Sequence, residues 1–341
     1  MSVAQELADE INELYARIQL QSEMIGEQQE TINDFVSEIQ SLTAQLAACQ
    51  AGSNPDLLLP PDGKLYLGVS RGVADAGYLG FVEATDRAPH IWHEYATSGD
   101  GFARDLARCP ADSIPLLNFK PQGRQMDAAS YLRILGGVYD TELDTAADAL
   151  IANGRDVFVA IMHEMEDNDP TGESDSAQAE AFSYCVGYMR SLGARFVSVW
   201  NPMGYFPRWG HRYDTLYPGD DVVDWVAWDP YVRSAHITRW LQFIDRGEGF
   251  LTWCRDNVPG KPLMLAEWGI DAPAVHGAAP YLLSTQGLDQ LLALAPEIRA
   301  LVYWNAEDQG DYRLSNPGLT EWFKPFSEQP AFDFDVREVT G

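Results

Sequence analysis

Positive charge is scarce in this 341-residue chain. Lysine and arginine number 23 against 51 aspartates and glutamates, a formal net charge of −28. Such a chain repels nucleic-acid phosphates and an anionic membrane surface, so neither is expected as a partner, whereas a neutral glycan is not repelled. Cysteine is scarce too. Cys49, Cys109, Cys185 and Cys254 are widely spaced with no Cys-x-x-Cys pair, which argues against a disulfide framework and a zinc ribbon. Cys185 and Cys254 fall in helical patterns and are expected in the core. No apolar run is long enough to span a membrane. The acidic N-terminus lacks the basic segment and apolar block of a secretory signal, so work outside a cell would need another route of export. His-Glu-x-x-His is absent, and no Gly-x-Gly-x-x-Gly follows the first strand pattern, which leaves zincin and dinucleotide-binding readings unsupported. No cofactor and no metal are expected.

What is present begins with a heptad seam in residues 1–50. Leu7, Ile11, Leu14, Ile18, Gln21, Ile25, Gln28, Ile32, Phe35, Ile39, Leu42, Leu46 and Cys49 step by alternating four and three. Isoleucine recurs at position a, and the pattern holds for about six heptads, which predicts a coiled-coil stalk. Ile at a with Leu at d leans towards a dimer. Apolar Ala8, Tyr15 and Val36 at e, and Arg17 as the segment's single basic residue, favour a parallel trimer. Residues 51–63, rich in Pro and Gly, read as a linker, and 328–341 as a C-terminal tail.

From 64 to 327 short apolar runs alternate with amphipathic stretches. The runs are Leu65–Ser70, Ile91–Ala96, Ile114–Phe119, Val157–Glu164, Phe196–Trp200, Trp225–Tyr231, Leu263–Trp268 and Leu301–Asn305. Eight strands alternating with helices predict an α/β fold, a (β/α)8 TIM barrel. The second strand is the weakest of the eight, and an open doubly wound sheet is the alternative.

Chemistry in such a barrel sits at the carboxyl ends of the strands. The late strands end in His163-Glu164, Trp200-Asn201-Pro202, Asp229-Pro230-Tyr231, Glu267-Trp268 and Trp304-Asn305. Two carboxylates and several flat aromatic rings around one mouth suit glycosidic cleavage. One carboxyl hands a proton to the leaving oxygen and the other meets the anomeric carbon, while aromatic rings stack on the sugar. Trp200, Tyr231, Trp268 and Trp304 are the candidate platforms.

These residues also carry a resemblance. His163-Glu164, the run Tyr217-Pro218-Gly219-Asp220-Asp221-Val222-Val223-Asp224-Trp225 leading into Asp229-Pro230-Tyr231, Lys261-Pro262 with Ala266-Glu267-Trp268-Gly269, and Trp304 together resemble glycoside hydrolase family 26 over most of 64–325. That family contains the β-mannanases and belongs to a clan of retaining (β/α)8 enzymes. The resemblance implies Glu164 as general acid/base, Glu267 as nucleophile, and His163 as a hydrogen-bonding residue where the bond breaks. It implies Tyr231 as the group orienting the nucleophile and Trp304 as the floor of the sugar site. Asn201 and Asp229 join the candidate substrate-binding set. The chain departs from the pattern at Ala160 and Ile161, where the family carries Arg-Pro. It departs again in the acidic loop after Glu164, which lacks the aromatics of mannanases and is expected to be solvated, with a calcium site as the alternative.

The expected function is a retaining endo-glycosidase acting on a bacterial surface polysaccharide. A rod, a hinge and a glycanase head resemble tail-associated proteins of bacteriophages. That likeness implies a virion protein assembled in the host cytoplasm, with other tail proteins as partners. The alternatives are a barrel that binds glycan or builds the virion without turnover, and a metal-dependent hydrolase using His163, His93 and the acidic residues.

Overall fold

Short runs rich in Val, Ile, Leu, Trp and Phe, bounded by Gly, Pro and Asp, are too brief for helices and too apolar for an exposed sheet. In the computed structural model they form the staves of a barrel. The structure describes residues 57–70, 76–123, 127–169, 171–245 and 249–339. The stalk expected over 1–50 lies outside the described residues.

The strands are β1 (Tyr66–Ser70), β2 (Ile91–Ala96), β3 (Ile114–Phe119), β4 (Phe158–Ile161), β5 (Val197–Trp200), β6 (Trp225–Trp228), β7 (Tyr231–Val232), β8 (Leu263–Ile270) and β9 (Ile298–Tyr303). All pairings among them are parallel, in the order β6-β5-β4-β3-β2-β1-β9-β8, and the sheet closes where Val226 of β6 pairs with Leu263 of β8. Eight staves therefore make a closed barrel, with β7 a two-residue extension paired to the end of β8. Helices fill the connections, among them Gly99–Arg108, Asp140–Asn153, Asp175–Ser191 and Thr285–Leu294. The weakest strand of the sequence reading, Ile91–Ala96, forms with those bounds, and Ile114–Phe119 does so too.

Because side chains alternate across a strand, each stave feeds two cores. One phase fills the barrel interior, with Ile91, Leu116, Phe158, Val199, Trp225 and Met264 among its members. The other packs outward beneath the helices, with Leu67, Leu117, Val159, Trp200, Val226 and Leu301 among them. Each such buried side chain contributes ~1.5–3 kcal/mol, and the inward phase carries every stave up to the mouth. Among the described residues Cys109, Cys185 and Cys254 are buried free thiols, as a core role for the latter two requires. No helix among the described residues is long and apolar enough to cross a membrane.

The two segments read as linker and tail are corrected where they are described. An open cylinder would leave its interior side chains wet at the amino-terminal end, so apolar groups must cover them. Leu58 is buried within the interior core, and the Trp225 indole donates to the Leu57 carbonyl at 2.6 Å. From the other terminus Val336 joins the same core, with Phe334 and Val339 packed on it. The Phe334 ring lies 4.4 Å from that of His90. Leu58, Phe334, Val336 and Val339 are the floor of the barrel.

Candidate active site

The inward phase decides which residues meet at the mouth. On β2 it runs Ile91, His93, Tyr95. It brings Asn118 to the end of β3, level with Tyr95 in the β2–β3 register, and Lys120 two residues further on. After β5 and β6 it reaches Asn201 and Asp229. After β9 it reaches Trp304, whose N–H donates to the Trp268 carbonyl.

Glu164 and Glu267 need more than alternation. The backbone leaves β4 through two left-handed non-glycine residues, Met162 at φ 54° and Glu164 at φ 50°. Such residues cost of order 1–3 kcal/mol each, and they hold only where surrounding contacts fix them. Here the Glu164 N–H donates to the Asn201 carbonyl at 2.8 Å, anchoring the turn to β5. On β8 a register shift between Leu265 and Trp268 marks a bulge. Ala266 belongs to the interior core and Trp268 to the outer one, and the bulge between them aims Glu267 into the mouth.

The result is a compact acidic triad. One carboxylate oxygen from each of Glu164, Asp229 and Glu267 lies within 4.8 Å of the other two. Glu267 accepts from two phenols, Tyr95 at Oε1 and Tyr231 at Oε2, each at 2.5 Å. Asp229 accepts from the Asn201 amide at 2.8 Å. Burial, then the Glu267 charge, push the Glu164 carboxyl up to about 8, with Lys120 opposing. Burial and the charges of Glu267 and Glu164 push Asp229 far above the usual carboxylate range. Burial raises Glu267 as well, but its two tyrosine donors and Lys120 pull the other way. Three carboxyls this close cannot all be ionised. The two O–H donors favour the charged form of Glu267 over that of its neighbours. Both phenols are held protonated far above pH 10, so both remain donors. The triad has the spacing to hold a divalent ion. Its donor set of two phenols, an amide and the Lys120 ammonium nearby suits carboxylates balanced by protons.

The sequence-predicted site residues divide. His163, Glu164, Asn201, Asp229, Tyr231, Glu267 and Trp304 surround one mouth. The His163 ring lies 5.5 Å from that of Tyr95, and burial with Lys120 nearby holds its imidazole neutral. The Trp304 and Tyr95 ring centroids lie 5.7 Å apart in a T-shaped arrangement, and the indole is part exposed, as a sugar platform must be. Trp200 and Trp268 do not join them. Trp200 is fully buried among Tyr217, Phe250 and Trp253, and Trp268 among Trp240, Tyr303 and Phe326. Both belong to the outward phase and face the helices, so their expected role as sugar platforms is withdrawn. Tyr95, Asn118 and Lys120 were missed as site residues, and His93 was weighed only as a metal ligand, although counting in twos from Ile91 and Ile114 finds all four.

The acidic loop beyond Glu164 is not solvated as expected. Glu166 is fully buried and accepts from the Tyr213 hydroxyl at 2.7 Å and the Met203 N–H at 3.0 Å. Asp169 caps Thr171 and Ser174. Asp175 pairs with buried Arg212 at 2.5 Å. These carboxylates clamp the loop onto the segment after β5 and so brace the turn that carries Glu164. His90 lies at the floor of the barrel, where its Nδ1 accepts from the Leu67 N–H, remote from His163.

No family profile matches the chain. The β-1,3-xylanase TXYA of Vibrio sp. is 25% identical over 205 residues, which is 60% of this chain and 38% of that protein, so the chain spans under two fifths of that relative. An endo-β-1,4-mannanase of Cellulomonas fimi, described with the glycoside hydrolase family 26 mannanases, matches with a TM-score of 0.61 at 16% identity. That match covers 82% of this chain and 74% of that one. GH26C of Muricauda sp. matches at 0.59, with 15% identity over 82% and 89% of the two chains. The Bacillus subtilis mannanase BCman matches at 0.54, with 17% identity over 80% and 87%. At these identities the shared property is the fold: the chain carries the same (β/α)8 barrel as these enzymes.

Proposed function

We propose that the protein is a retaining endo-glycosidase, with Glu164 as general acid/base and Glu267 as nucleophile. The observation that carries this is the meeting of the two glutamates in one mouth, their oxygens within 4.8 Å, with opposite demands on the proton. Retaining enzymes hold their carboxyls ~5–5.5 Å apart and inverting ones ~6.5–9.5 Å, so the compact spacing supports retention. Glu164, with its raised affinity for a proton, protonates the glycosidic oxygen. Glu267, fixed by Tyr95 and Tyr231, attacks the anomeric carbon from the other side. Glu164 then takes a proton from the water that releases the sugar. Trp304 offers the flat face, and His163, Asn201 and Asp229 offer polar contacts to hydroxyls.

The substrate class is a neutral polysaccharide. The net charge of −28 and the acidic mouth disfavour polyanions, and the β-1,3-xylanase and β-1,4-mannanase likenesses add weight to a neutral backbone. We further propose, from the heptads of residues 1–50, a homo-oligomer, a trimer before a dimer, that presents these heads to a bacterial surface polysaccharide as part of a phage tail. The support for that setting is the order of a heptad segment followed by a barrel in the sequence.

The test is reducing-end release from β-1,3-xylan, β-1,4-mannan and bacterial cell-wall glycans by wild type and Glu267→Ala. Loss of release by several orders of magnitude in the variant is expected. Equal release by both would remove the assignment, and binding without release by either would leave a glycan-binding barrel in its place.

A further inference from the structure

Tyr95 has no part in the resemblance that singles out Tyr231, yet its hydroxyl makes the matching contact. It donates to Oε1 of Glu267 while Tyr231 donates to Oε2. The two phenols come from different sides, Tyr95 from β2 and Tyr231 from β7 beside β8. A phenol has one hydrogen. With that hydrogen committed to Glu267, the 3.3 Å contact between the Tyr95 oxygen and His93 Nδ1 needs its hydrogen from the imidazole. His93 is fully buried, and burial holds it neutral by pushing its pKa down to about 4. The neutral ring has one hydrogen, and the Tyr95 oxygen, the Asn118 amide and the Ala266 backbone all lie beside it. The Tyr95 ring is packed between the rings of His93, His163 and Trp304, at 4.5, 5.5 and 5.7 Å, so the hydroxyl has a fixed aim.

We propose that Tyr95 is a second positioning residue for the nucleophile: held by the rings of His93, His163 and Trp304, its hydroxyl keeps the Glu267 carboxylate ionised and directed at the anomeric carbon. This rests on the reading of Glu267 as nucleophile. The physical need is plain. A carboxylate stripped of water takes a proton unless fixed donors replace the water, and a donor to the charged form is worth more than one to the neutral form. The other charged groups facing Glu267 do not suffice. Glu164 from the end of β4 and Asp229 from β6 favour a proton on it, as does Asp308 beyond β9. Lys120 from the end of β3 and Tyr231 oppose them, and His163 is neutral. Tyr95 supplies the second donor that the remaining lone pairs require.

The test is Tyr95→Phe, which keeps the packed ring and deletes the O–H. The titration of Glu267 is followed by NMR of protein carrying 13C in its glutamate side-chain carboxyls, with the Glu267 signal assigned by its loss in Glu267→Gln. Y95F is expected to raise the Glu267 midpoint by about one unit. It is also expected to move the acidic limb of kcat/KM up by the same amount and lower kcat roughly ten- to a hundredfold with little change in KM. Replacing Tyr95 with p-aminophenylalanine restores a donor at the same reach and should recover part of each loss, which a purely steric role would not predict. Should Y95F fail to fold, the p-aminophenylalanine protein carries the test, because its weaker N–H donor must also raise the midpoint. An unchanged Glu267 midpoint in the folded variant overturns the assignment. A wild type that cleaves no glycan while the midpoint still moves in Y95F defeats the glycosidase reading and leaves the grip of Tyr95 on Glu267 supported.

Discussion

As the proposed general acid, Glu164 has to hold a proton at neutral pH and surrender it on demand, and its surroundings set both limits. Burial and the Glu267 charge lift it to about 8, whereas an unfolded glutamate titrates in the ordinary carboxylate range. The folded form therefore binds the extra proton, so the stabilisation from this group is fully present below the unfolded pKa and is lost as pH rises towards about 8. Activity follows the same direction, since kcat/KM should fall above about pH 8 as the acid deprotonates. Glu164→Gln should abolish that basic limb and reduce the decline in Tm with alkaline pH. Its activity loss should be mild on substrates with good leaving groups and severe on those with poor ones. Equal loss across leaving groups, or a basic limb that survives in the variant, would contradict the acid role. Both glutamates were legible because a carboxylate closing a buried strand, ordinary when met once, was repeated about a hundred residues later. Asn201, Asp229 and Trp304 were legible from their strand-end positions. Trp200 was misjudged because residue type outweighed strand phase: it follows inward Val199 and so faces outward.

At the level of elements, phase was the readable quantity and its interruptions were not. Counting in twos along β2 and β3 leads directly to Tyr95 and Asn118. The same count on β8 fails, because inward Ala266 would send Glu267 outward and Trp268 inward. The bulge between Leu265 and Trp268 reverses that, and nothing in Leu-Met-Leu-Ala-Glu-Trp announces it. The loop after β4 was misread for a related reason. Acidic composition suggests solvent, yet Glu166 and Asp175 find buried partners from the segment after β5, which sequence order does not reveal. The Arg212–Asp175 pair is the strongest of these, with both side chains less than 8% exposed. Removing one partner leaves a buried charge alone, so Arg212→Met is expected to cost about 3–5 kcal/mol in denaturant unfolding. Pairing it with Asp175→Leu should recover most of that loss, since two apolar groups leave no charge stranded. A single-variant cost below about 1 kcal/mol would show that the loop is held by Glu166 and the Asp169 cap instead.

The molecule as a whole combines a barrel, proposed to act on neutral sugar, with a segment whose heptads predict multiple copies. Its barrel was legible to within a few residues because eight short apolar runs admit few closed arrangements. The floor was not, since the Pro-rich stretch before Lys64 and the chain beyond 327 look like spacers until the open end of a cylinder demands apolar cover. Multiplicity has a measurable consequence. A single mouth meets one or a few sugar units and holds them weakly, whereas heads joined on one stalk rebind before any of them diffuses away. Linkage of this kind raises apparent affinity by ~10²–10⁴ without a new contact. Deleting residues 1–50 should therefore leave turnover per head on short soluble oligosaccharides unchanged. Retention on intact cell-wall particles should fall by that order, measured by depletion from the supernatant at matched head concentration. The full-length chain should sediment as an oligomer and the deleted chain as a monomer. Equal retention of the two proteins, or a monomeric full-length chain, would refute the stalk as a source of avidity while leaving the chemistry of the two glutamates untouched.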